Sequence, residues 1–68
     1  MHINSHLIRA IAKSGLDFED VSIFSGMMPG KLVGIIQGKL KPDMETKERI
    51  ALILNKSVND LWPVEDRR

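Results

Sequence analysis

Residues 17–37 read DFEDVSIFSGMMPGKLVGIIQ, and their spacing predicts two short helices hinged at a glycine. Asp17 supplies an N-cap, and Asp20 three residues later makes an acidic variant of the capping box. An apolar helix then runs Val21 to Phe24, Ser25-Gly26 breaks it, and a second helix begins near Pro29. Two helices joined by a tight glycine turn are a helix-turn-helix layout. The second helix carries glycines and aliphatics where a base-reading helix carries polar side chains. The layout and the chemistry therefore pull in different directions.

Outward from this stretch the pattern stays helical. Ser5 is expected to cap a first helix reaching about Ser14, with Leu7, Ala10 and Ile11 on one face and Gly15 ending it. Gly38 stops the third helix, and Lys39-Leu40-Lys41-Pro42 forms a loop that Pro42 keeps out of helix. Asp43 caps a fourth helix, Met44 to Leu54, whose apolar face is Ile50, Ala51, Ile53 and Leu54. Asn55 tolerates the left-handed conformation expected after a helix end. Ser57 caps a short last turn, Val58 to Trp62, which Pro63 ends, and the charged tail Val64 to Arg68 is expected to fray. No strand is convincing. The expectation is an all-α, compact five-helix bundle in a single domain, 1–68, with its core at about 5–62.

Composition narrows the function classes. Sixty-eight residues hold one core, and 43% hydrophobic content suffices for a small bundle. With no cysteine there are no disulfides and no thiolate zinc sites, so packing alone carries the fold and a homodimer would help. A net charge of +1 neither supports nor excludes nucleic acid. Met1-His2-Ile3-Asn4 lacks a basic start, and no run of eighteen apolar residues appears, so the expectation is a soluble, cytoplasmic protein with no membrane span.

The order of caps, glycines and apolar positions resembles the lambda-repressor-like helix-turn-helix family. This family includes phage repressors, Cro proteins and xenobiotic-response-element-type regulators. The residues that carry the resemblance are Gly15-Leu16, Val21, Ser25-Gly26, Leu32, Ile35, Gly38, Pro42, Glu45-Thr46, Ile50-Ala51, Leu54, Ser57-Val58 and Leu61-Trp62. No single piece is diagnostic, but the ordered set covers about residues 5 to 62. The resemblance implies a DNA-binding transcription regulator without cofactor or catalysis, acting on double-stranded DNA as a dimer.

In that family, DNA is read from the start and outer face of the third helix, which here falls on Met28, Pro29, Gly30, Val33 and Gly34. Base edges in the major groove are read by bidentate groups such as Arg, Asn or Gln. Pro29, Gly30 and Gly34 have none, and Val33 offers at most an apolar contact to a thymine methyl. Lys31 and Gln37 are the long polar side chains on this helix. Phosphate anchoring is better preserved, because Lys31, Lys39 and Lys41 flank the helix. The alternative reading makes them ordinary solvated lysines. Phe18 stands where family members often hold a phosphate-binding glutamine.

Ile8, Ile23, Phe24, Met28, Val33 and Leu52 fall where relatives commonly show polar residues. They are expected to enlarge the core, or else to form a dimer or partner surface. Relatives often place a buried Arg–Glu pair at the positions of Ile11 and Ile36. Apolar replacement of such a pair is often neutral or stabilising, so both are expected in the core. Glycines 26, 30, 34 and 38 recur every four residues, and a smooth glycine face permits close approach of a DNA backbone or a partner helix. The Gly34–Leu40 segment, GIIQGKL, is one residue short of a phosphate-binding loop and lacks its Ser or Thr, which argues against nucleotide binding. Glu19-Asp20, Glu45 with Glu48, and Asp60 sit at cap or outward positions, better explained by helix dipoles than by acid–base catalysis. His2 and His6 are four apart with no third ligand, so no metal site is expected. Trp62 is expected to close the core beside Leu61, with exposure at a dimer seam as the alternative. The competing functional expectation is a protein-binding module, an antirepressor or repressor modulator, docking through an apolar face of Phe18, Met28 and Val33.

Overall fold

The protein's structure, a computed structural model, describes residues 3–63. The tail expected to fray (64–68) and His2 lie outside the described residues. Within them the chain forms five helices and no strand: α1 Ser5–Ser14, α2 Phe18–Phe24, α3 Pro29–Ile36, α4 Met44–Leu54 and α5 Val58–Leu61. This is a small all-α bundle.

Local hydrogen bonds explain where most helices start. The Asp17 carboxylate accepts the Asp20 N–H at 2.8 Å, and the Asp20 carboxylate accepts the Asp17 N–H at 3.2 Å. That reciprocal pair satisfies two of the donors a helix start leaves open. It also draws Phe18, Glu19 and Asp20 into the first turn, so α2 begins at Phe18 and not at Val21. Asp43 accepts from Thr46 at 2.9 Å, and Ser57 and Asp60 make a second capping box. α5 ends at Leu61, one residue earlier than the spacing predicts, with Trp62 as its C-cap.

The cap of α1 is Asn4, not Ser5. Its side-chain oxygen accepts the Leu7 N–H at 3.0 Å, its side-chain amide donates to the Leu61 carbonyl at 2.9 Å, and its own N–H donates to the Ile36 carbonyl at 2.8 Å. Ser5 can cap, but it is exposed, whereas Asn4 also reaches α3 and α5.

Helix ends follow one closure. Gly26, at φ +79°, donates to the Ile23 carbonyl at 3.0 Å, and Met27 donates to the Ser22 carbonyl at 2.9 Å. The end of α3 repeats it, with Gly38 at φ +80° bonding Ile35 and Lys39 bonding Gly34. Both are paired Schellman bonds, which need a residue that accepts positive φ. Asn55 takes that place after α4 at φ +58°.

The core is Leu7, Ala10 and Ile11 from α1, Val21 from α2, Leu32, Ile35 and Ile36 from α3, Ile50, Ala51 and Leu54 from α4, and Leu61 from α5. Ile11 and Ile36 are thus core residues. Each large aliphatic side chain fully withdrawn from water contributes about 1.5–3 kcal/mol, opposed by ordering entropy. α2 packs chiefly on α3 and also meets α4, while α1 meets α3, α4 and α5. Ser22 and Ser25 are also buried, their hydroxyls donating to the carbonyls of Glu19 and Val21 at 2.8 and 2.7 Å. Trp62 is half-buried against the core, with the Lys47 ammonium 5.6 Å from its ring centroid.

The enlarged core does not form. Of the six residues expected to swell it, only Ile8 packs against the cluster, whereas Leu52 is 81% exposed, Met28 75%, Phe24 63% and Ile23 60%, with Val33 also exposed. For Ile23 and Phe24 the reason lies in α2. Its inward stripe is already filled by Val21, Ser22 and Ser25, which leaves Ile23 and Phe24 on the opposite arc.

Replacing Asn4 by alanine removes a cap and orphans the Leu61 carbonyl, a loss of about 2 kcal/mol. At 4–8 °C per kcal/mol that lowers Tm by roughly 8–16 °C. Asn4→Ser keeps the cap alone and should fall between the two in thermal melts. A second expectation concerns pH. Asp43 and Asp60 titrate below the ordinary aspartate value of 3.8, chiefly because backbone N–H groups of Thr46 and Ser57 bond their carboxylates. A depressed folded pKa adds stability above the unfolded value, and that stability is lost as pH falls through the folded value. Below pH 3.8 the caps of α4 and α5 therefore weaken. Asp43→Asn keeps a capping oxygen without a titrating group, so its Tm should fall less steeply with acid than that of the wild type.

Candidate nucleic-acid interface

α3 decides what this surface offers. Its 3.6-residue period turns Leu32, Ile35 and Ile36 inward and leaves Gly30, Val33, Gly34 and Gln37 on the outer arc. Pro29 and Gly30 are exposed at its start, where Met28 is the N-cap but gives no side-chain cap bond. No acidic residue occupies the first turn. Lys31 is exposed at one edge of the arc, and Lys39 and Lys41 are exposed on the loop that follows. Gln37, the polar side chain on the arc able to make bidentate bonds, is half-buried as the C-cap.

Gly34 is not an open face. A Cβ built there would lie 2.7 Å from Leu40 Cδ1 and 3.0 Å from Leu40 Cγ. Leu40 crosses the outer side of α3 at Gly34, where no side chain stops it. The backbone holds it there, because the Gly34 carbonyl accepts from both Lys39 at 2.9 Å and Leu40 at 3.1 Å. The close approach that a glycine face permits is thus taken by the chain's own loop. Gly30 differs, with nothing within 4 Å of the built Cβ.

The charges around α3 are uneven. Among the described residues the single ion pair is Arg49 to Glu45 at 2.8 Å, an exposed i,i+4 contact of little worth. Lys31, Lys39 and Lys41 make none. Lys31 does act on Asp43, whose carboxyl is held low first by its bond from Thr46 and further by that lysine's charge. Arg49 adds a cation near the α2–α3 turn, its Nη1 lying 3.7 Å from a Cβ built on Gly26. The start of α2 has the opposite sign, with Phe18 exposed among Asp17, Glu19 and Asp20. Phosphates are therefore attracted at α3 and its following loop and repelled at the start of α2.

Sequence reasoning missed two residues here. Leu40 sits in a polar loop, and only its contact with Gly34 reveals a packing role. Arg49 reads as an ordinary surface residue of α4 until the fold brings it beside Gly26. Elsewhere, no cluster of three or more His, Asp or Glu side chains among the described residues is placed to hold a metal ion. No helix among them is long and apolar enough to cross a membrane. In comparisons with known proteins, no family model, curated protein or solved structure matches the chain.

A double-mutant cycle tests the packing of Leu40. Gly30→Ala should stabilise the protein by about 0.5 kcal/mol, since alanine is the better helix former and the space is open. Gly34→Ala should bring no such gain in the wild type and should gain it in a Leu40→Ala background. The expected coupling is about 0.5 kcal/mol in urea denaturation. Equal gains from Gly30→Ala and Gly34→Ala in the wild type would mean that Leu40 does not pack there.

Proposed function

We propose that the protein is a transcription regulator that binds duplex DNA as a homodimer, one α3 to each major-groove half-site. The observation that carries this reading is the set of exposed lysines, Lys31, Lys39 and Lys41, around a helix whose first turn holds no acid. The resemblance of residues 5 to 62 to lambda-repressor-like domains supports the same assignment. In this reading the lysines neutralise phosphates and set the register, and Met28, Pro29, Gly30 and Val33 lie toward the groove, with Leu40 covering Gly34. Gln37 is then the one side chain of the arc able to bond a base edge in two places. Phosphate contacts position a protein without reading sequence, so preference comes from DNA shape and half-site spacing. The regulator works in the cytoplasm, without cofactor or catalysis.

A specific observation favours a second reading. Phe18, Met28 and Val33 are all exposed, joined by Ile23 and Phe24 on α2. Exposed large apolar side chains beside the acidic start of α2 suit a protein-binding module, an antirepressor or repressor modulator, better than they suit a phosphate backbone.

Titration of fluorescent duplex DNA at rising salt separates the two. Three phosphate contacts per chain give a slope of log K against log salt of about −3 per bound chain. Lys39→Gln with Lys41→Gln should reduce it to about −1, and reversal of both lysines to Glu should abolish binding. Absence of binding at low salt would reject DNA and leave the protein-binding reading.

A further inference from the structure

On a different face, α1 and the turn into α5 enclose an open cleft of about 240 Å³. His6, Arg9 and Lys13 line one wall at helical spacing, and Lys56 approaches from the α4–α5 turn. Ala10 and Leu61, both buried, are also part of the lining. The one carboxylate present, Asp60, accepts the Ser57 N–H at 3.0 Å in its capping box and also feels the Lys56 charge. Among the described residues, no cation of this cleft forms an ion pair. Arg9, Lys13 and Lys56 against Asp60 leave two positive charges in excess with His6 neutral.

From this geometry we infer that the α1–α5 cleft is a binding site for a compact multivalent anion of the phosphate class. Three like charges gathered around one cleft repel one another, and a bound dianion turns that repulsion into attraction. Arg9 brings a planar fork of donors that matches two phosphate oxygens, while Lys13 and Lys56 act as point charges. A monocarboxylate would neutralise only one of the two excess charges. Ala10, small and buried, also lines the cleft. The site shares no residue with α3, so it stands whether or not the protein binds DNA.

Inorganic pyrophosphate is the probe. Titrated into the ¹⁵N-labelled protein at fixed ionic strength, it should shift the amides of Ala10, Lys13, Lys56 and Leu61 along one saturating curve. Arg9→Gln with Lys13→Gln should weaken that curve at least tenfold. Both side chains are exposed, and the rest of the amide spectrum reports that the variant stays folded. Lys39→Gln with Lys41→Gln should leave the affinity unchanged. Shifts that do not saturate, or an equal loss in the two double variants, would overturn the site and reduce it to general attraction of anions to lysines.

Discussion

Asn4 ties together three helix ends. Its side chain closes the first turn of α1 and donates to the Leu61 carbonyl at the end of α5, and its N–H donates to the Ile36 carbonyl at the end of α3. Helix ends are where backbone groups go unsatisfied, and in this chain three of them converge on one residue. With so little core, the bundle depends on such junctions. A domain this small buries a smaller fraction of its surface than a larger one, so each satisfied end counts for more.

The helix order was legible because it is written in local chemistry. Asp17 with Asp20, Asp43, and Ser57 with Asp60 all cap within three residues of themselves, and Gly26, Gly38 and Asn55 take the positive φ that helix ends demand. What escaped is non-local. Ser5 and Asn4 are both good caps, and the choice falls to Asn4 through partners 32 and 57 residues away. The fate of Ile23 and Phe24 was hidden for a similar reason. Apolar residues read as inward until one knows that two serines have the inward places, and a serine announces burial only when its hydroxyl finds a carbonyl. The lysines around α3 could be named from the sequence, but the covering of Gly34 by Leu40 could not, because it is a contact between a helix and the loop beyond it.

A net charge of +1 conceals a strongly sorted surface. Cations gather on the loop after α3 and in the cleft between α1 and α5, while the first turn of α2 carries Glu19 and Asp20. The acids at α2 are useful where they are, since they complement the helix dipole and complete the capping box. The same charges bias which molecules can approach. Local bonding that builds the fold thus also shapes the field around it.

The seat of Leu40 on Gly34 also limits how this surface can change. At most exposed positions of a helix, a new polar side chain can be gained by one substitution and tried at once. Here any residue larger than glycine requires the Leu40 side chain to shift. The two positions are bound into a pair, so a new side chain at position 34 and a smaller one at position 40 would have to arise together.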